Sequence, residues 1–422
     1  MELTLKYGEG TIEIQIPESA DVTVLEPEKL VPVSSIRDAL SKALVKACER
    51  SHDLLPVLKE HETVAISIPD ETRPLPTAKI LPFLLEWLFT KIPDLIPDRV
   101  TIIIGCGLHS GDDRKTIEKL IPPKITHGCR VMVHDAFNSP TIYFGRTTKG
   151  TPVHINDGFA TADYKIVIGQ IDPHQIVGFT DGVSAVIIGC SSEATLEHNH
   201  SLMFHDAAKA GVLNDNPVRE DLNEAGEMIG IDLAINFVLA PNKEVVEVLA
   251  GRPIDTLREG ARTSSYLYGV AIDEKFDIVV ASCGGYPKDI CLYQAQKGLN
   301  LASQALKTGG HILLLAALPQ GVGDDIYFDY VSQFTTPEEV LADFRKQEFR
   351  MGAHKAFLFG RTLSEFDVAI CSELDKGILQ KCHLRAADPS KVIAEWLEST
   401  SGNQKIGVIT NANTTYFYKA EH

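Results

Sequence analysis

No lysine or arginine occurs from Ile166 through Ala208, although the chain carries 40 of them. Inside that gap lies GQIDPHQIVGFTDGVSAVIIGC, Gly169 to Cys190, which joins a His beside a Pro to a glycine-flanked loop and an apolar run. The loop carries Asp181 and Ser184 but no cation, so an active site, an altered one and a core turn all stay open for it. Other absences exclude more. The 8 cysteines include no CxxC pair and no compact framework, which argues against a disulfide scaffold or a cysteine metal site. Most sit in or beside apolar strand-like runs, where free Cys packs as a small hydrophobe, and a reducing, cytoplasmic setting is expected. The most apolar run, Ile312 to Leu318, is far below the ~20 residues of a membrane span, so no segment is expected to cross a bilayer. The start has no basic segment followed by an apolar one and does not read as a signal peptide. Basic charge is short overall: the net charge is -17 and the pI about 5.3, which disfavours a broad phosphate-binding surface and nucleic acid as a partner.

What is present points to an α/β protein. A length of 422 residues exceeds what one core usually serves, so two domains are expected. MELTLKYGEGTIEIQIP alternates around GEG as a β-hairpin does, and SSIRDALSKALVKACERSHDLL puts Ile36, Leu40, Leu44 and Ala47 on one helix face behind Ser35. A pattern of short apolar strand, polar loop and helix-like stretch then recurs, as in TVAISIPDETRP, RVTIIIGCGLHSGDD, DYKIVIGQIDPHQ and FDIVVASCGGYPKD. It predicts largely parallel sheets, whose ligands sit beyond the carboxyl ends of the strands. The polar, partly helical stretch Arg252 to Gly269 suggests a boundary, giving domains 1–266 and 267–422 with an active site in the cleft between them.

The loops after the strands hold the candidate chemistry. In DETRP, Arg73 could clamp a carboxylate with its planar guanidinium, although a surface Asp-Arg pair explains the same letters. GCGLH places His109, and DPH places His174, just past two strand ends, where imidazoles can exchange protons with a substrate from two sides. GCGLH is not a full GxGxxG, so a dinucleotide site is disfavoured. In EHNHSLM, His198 and His200 are two apart on a predicted helix, so only one could face a given metal. In GGYPKDICLYQAQK, Tyr293 and Lys297 lie one helical turn apart with Gln294 beside them, a face that could meet a carboxylate or simply water.

Taken in order, DETRP, GCGLH, HDAFNSPTIYFGRTTKGTPVHIN, GQIDPHQIVGF, EATLEHNH, NPVREDLNEAG, VLAGRP and GGYPKDICLYQAQK resemble the lactate racemase family along most of the chain. The resemblance implies two domains around a nickel pincer nucleotide that accepts a hydride from C2 of a 2-hydroxy acid and returns it to the other face. Position by position, it implies His109 and His174 as the acid/base pair and His200 as the protein ligand to nickel. It further implies Arg73, Tyr293, Gln294 and Lys297 at the substrate, with Asp70 and Thr72 near the cofactor. Proteins that build the cofactor are then the implied partners. One departure stands in the opening stretch. The family pattern GFSGGxK ends in a lysine bonded to the cofactor, whereas this chain reads GFTDGVS, with Ser184 in the lysine's place and Asp181 in a glycine's. A hydroxyl cannot form the stable thioamide, so a cofactor held noncovalently is expected. A noncatalytic carboxylate- or nucleotide-binding protein and a hydration or elimination enzyme using the two histidines are the alternatives.

Overall fold

The computed structural model of the chain describes residues 1–55, 59, 61–109, 112–346, 353–399 and 404–419. Ser110 and Gly111 of the GCGLHSGDD stretch lie outside them. Two compact units emerge, one of Lys29–Leu267 and one that joins Met1–Glu28 to Tyr268–His422.

In the first unit a six-stranded sheet runs in the order Val245–Gly251, Leu233–Leu239, Tyr164–Gln170, Val64–Pro69, Val100–Gly105, Arg130–His134. Every pairing is parallel except that of Val245–Gly251 with Leu233–Leu239. The central strand VAISIP is buried at every position, as expected for a parallel strand covered on both faces. Val64, Ile66 and Ile68 meet Leu40 and Leu44 of helix Ile36–Arg50 and Leu81, Leu84 and Leu88 of helix Thr77–Lys91 in one core. Ser35 caps the first of these helices by accepting from the Asp38 amide, the start signal read in the sequence.

The second unit has its own six-stranded sheet, ordered Arg385–Ala386, Asp367–Cys371, Leu306–Leu315, Phe276–Ser282, Lys405–Ile409, Asp21–Leu25, with all pairs parallel. The hairpin Glu2–Tyr7 with Gly10–Gln15 forms as the alternation predicts. Its Leu5 and Ile14 pack with Ile278, Val280, Leu313 and Trp396. The segment 1–28 was therefore placed wrongly by a boundary drawn at 266: strand Asp21–Leu25 completes the edge of the second sheet beside Lys405–Ile409. No helix among the described residues is long and apolar enough to cross a membrane.

A candidate active site at three neighbouring strand ends

Three adjacent parallel strands of the first unit end side by side, and each hands its loop a candidate residue. Val64–Pro69 leads to Asp70, Thr72 and Arg73; Val100–Gly105 leads to His109; Tyr164–Gln170 leads to His174. Pairing of Pro69 with Gly105 brings the first two loops together. There Asp70 Oδ2 lies 2.8 Å from His109 Nδ1, while Asp70 Oδ1 accepts from the Thr72 hydroxyl at 2.5 Å and the Thr72 amide at 3.2 Å. Burial works to raise the Asp70 pKa, but the bonds from His109 and Thr72 outweigh it and leave the carboxyl below its usual range. The same hydrogen bond raises His109 above its ordinary value against desolvation. Because an ionised carboxylate only accepts, it fixes the proton on Nδ1 and leaves the lone pair of neutral His109 on Nε2. Arg73 is exposed in the same loop. Burial and the nearby Asp70 charge push the Cys106 thiol up to about 12, which keeps it protonated and out of nucleophilic chemistry.

His174 is built differently. It pairs across a tight antiparallel turn with Gly178, and its Nδ1 accepts from the amides of Ile176 and Val177, each at 3.4 Å. An Nδ1 that accepts leaves the proton of the neutral ring on Nε2. When both rings are neutral, these partners give them opposite polarity, with the lone pair on Nε2 of His109 and the proton on Nε2 of His174.

The turn behind His174 is clamped by a residue that the sequence reading passed over. Arg219, fully buried on helix Pro217–Ile229, donates to the carbonyls of Val177 and Phe179 and to Asp181 Oδ1 at 3.1 Å. It supplies from elsewhere in the chain the cation that Ile166 to Ala208 lacks. Its signal was legible in principle, since it lies in the first turn after the cap residue Asn216 and three residues before the apolar Leu222, where a buried charge demands a partner.

Asp181 and Ser184 are joined as a capping box for helix Gly182–Gly189. The Asp181 carboxylate accepts from the Ser184 amide at 2.8 Å, and Ser184 Oγ accepts from the Asp181 amide at 2.8 Å and donates to the Asp181 carbonyl at 2.9 Å. Ser184 is 7% exposed, so its hydroxyl serves the helix start. The helix lies flat against the strand ends because Gly169 has no Cβ, which would collide with the backbone of Asp181 and Gly182. At its other end the Gly189 carbonyl accepts from the Gly107 amide at 2.9 Å, fixing the loop that leads to His109.

On helix Glu193–Ser201, His198 Nδ1 meets Thr151 Oγ1 at 2.9 Å, whereas His200 Nδ1 donates to the Leu196 carbonyl at 3.0 Å. That bond directs the lone pair of His200 to Nε2, and burial pushes its pKa down to about 4, so the ring is neutral near pH 7. A neutral imidazole with a fixed tautomer is the donor nickel accepts, so His200 fits a single protein ligand. Ser184 does not fit a covalent tether. Among the described residues no cluster of three or more His, Cys, Asp or Glu is placed to hold a metal by itself.

In the second unit, Tyr293, Gln294 and Lys297 lie on helix Leu292–Ala302, which the loop Gly284–Cys291 introduces. Burial, then Asp324, pushes the Tyr293 hydroxyl up to about 12. Gln294 is exposed and Lys297 half-buried.

Profiles of the lactate racemase N-terminal domain and C-terminal domain match residues 7–211 and 272–414. The chain belongs to the lactate racemase family. It is 26% identical over 346 residues to lactate racemase from Thermoanaerobacterium thermosaccharolyticum, covering 80% of each chain. It is 29% identical over 336 residues to lactate racemase from Lactiplantibacillus plantarum, covering 78% of each. Its fold superimposes on the T. thermosaccharolyticum lactate racemase apoprotein with a TM-score of 0.85 at 23% identity, over 99% of this chain and 100% of that one. A Thermotoga maritima protein gives a TM-score of 0.62 at 19% identity, over 90% and 98% of the two chains. Family membership places the chain among the isomerases.

Proposed function

We propose that the protein is a racemase or epimerase of a 2-hydroxy carboxylic acid that works with a nickel pincer nucleotide held without a covalent link. The observation that carries this reading is the pair of histidines of opposite ring polarity, His109 backed by Asp70 and His174 backed by two amides, at the ends of the two strands that flank Val64–Pro69. When bound, the nucleotide supplies a hydride acceptor for C2 of the substrate. His200 holds the nickel through Nε2, and Asp70 and Thr72 lie in the loop assigned to the cofactor's surroundings. Arg73 grips the substrate carboxylate, and Tyr293, Gln294 and Lys297 of the second unit are assigned to the same substrate. Nε2 of His109 takes the hydroxyl proton from one enantiomer, and Nε2–H of His174 returns a proton on the opposite face, with the roles exchanged in the reverse direction. Such a reaction needs a base on either side of the hydroxyl, which a single histidine cannot supply.

The hydrogen-bonded Ser184 supports noncovalent retention, because it leaves the Asp181 turn intact without an amine. Protein produced together with the proteins that build the cofactor should carry nickel, racemise chiral 2-hydroxy acids, and show the mass of the bare chain after denaturation. A denatured mass raised by the cofactor would overturn noncovalent retention. Absence of both nickel and turnover would overturn the racemase reading itself.

A further inference from the structure

On helix Leu292–Ala302, Tyr293, Gln296 and Lys297 share one face, being three and four residues apart. Lys355, from the first turn of helix His354–Leu363, lies against that face: its Nζ donates to Gln296 Oε1 at 3.0 Å and sits 5.1 Å from the centre of the Tyr293 ring. No described carboxylate pairs with Lys355, in a chain where 57 acidic residues outnumber 40 basic ones. Burial, then the charge of Lys297, pushes its pKa down to about 8, so the two amines feel each other. Gln296 is fully buried, and its Nε2 has no hydrogen-bond partner. Buried amide donors are nearly always satisfied, so this one marks a missing acceptor. A half-buried ammonium, a second ammonium beside it and an orphaned amide N–H together describe a place for anionic oxygens. Lys297 and Gln294 are already assigned, with Arg73, to the hydroxy acid part of the substrate, which leaves Lys355 and Gln296 over.

We propose that Lys355 and Gln296, on the floor of Tyr293, form a subsite for a second anionic group, so that the preferred substrate is a 2-hydroxy acid with another carboxylate or a phosphate. This rests on the racemase reading for the hydroxy acid part only. A charge-assisted bond from Lys355 and a neutral one from Gln296 Nε2 hold the second group, and the tyrosine ring keeps the ammonium in place by its π face. Lactate, with a methyl at that end, leaves both donors unmet, and a site built to bond a polar group discriminates against the analogue lacking it.

The test is calorimetric binding to the full chain purified without cofactor, with malate, 3-phosphoglycerate and lactate as probes. Malate or 3-phosphoglycerate should bind at least about tenfold more tightly than lactate, and the better of the two tells a second carboxylate from a phosphate. Lys355→Met should lower the affinity for that better probe at least about tenfold more than the affinity for lactate, while Lys355→Arg should keep the preference and so exclude misfolding as the cause. Equal affinities for all three probes, or a preference unchanged in Lys355→Met, would overturn the subsite. Because no turnover is read, a failure here is separate from a failure of the racemase reading, which the nickel and turnover measurements decide.

Discussion

His109→Gln is expected to lower turnover of both enantiomers by about 10²–10⁴-fold, the usual weight of a positioned acid or base. Its ring is exposed and Asp70 retains Thr72, so the fold should survive the change. Asp70→Asn should act more gently and in a telling direction. The Asp70 carboxylate raises the His109 pKa above 6.5, and His109 must be neutral to take a proton. With the charge removed, the rising limb of kcat/KM against pH should therefore move to lower pH in the direction that starts at His109. The limb of the opposite direction, which starts at His174, should move less. Profiles measured from each pure enantiomer check this, and an unmoved limb would show that Asp70 does not tune His109.

Arg219→Leu is expected to cost about 3–5 kcal/mol of unfolding free energy, because it strands the buried Asp181 carboxylate. Both side chains are about 1% exposed and 3.1 Å apart, so solvent cannot replace the lost partner. Arg219 also holds the carbonyls of Val177 and Phe179, and with them the turn that aims His174. The folded fraction should accordingly lose turnover as well as stability. Urea unfolding near pH 7 measures the first effect. Pairing the change with Asp181→Asn, which removes the stranded charge but keeps a capping oxygen, should recover part of it. A loss under about 1 kcal/mol would mean that the pair does not hold the turn.

These residues show how far the sequence could be read. The strand-end positions of Asp70, His109 and His174 were legible, because apolar runs ending in polar, glycine-bearing loops mark parallel strands and their carboxyl ends. Which of them would bond was not. The bond between the Asp70 carboxylate and His109 is a contact made by pairing Pro69 with Gly105 across two strands, which no local pattern announces. Likewise the missing lysine at Ser184 was visible as a substitution, but its coupling to Asp181 as a capping box, and through Asp181 to Arg219, depends on helix packing across 38 residues of chain. The hairpin at the start was read correctly as local structure. The allegiance of Met1–Glu28 to the second unit was not, since strand Asp21–Leu25 finds its partner at Lys405–Ile409 and alternation says nothing of so distant a neighbour.

The central claim is that the hydrogen on C2 leaves as a hydride and comes back. Racemisation of an enantiopure 2-hydroxy acid deuterated at C2, in ordinary water by the cofactor-loaded protein, tests it directly. Deuterium retained in both enantiomers at equilibrium is the expected result; exchange of that deuterium for solvent hydrogen, as proton abstraction or elimination by His109 and His174 requires, would contradict it.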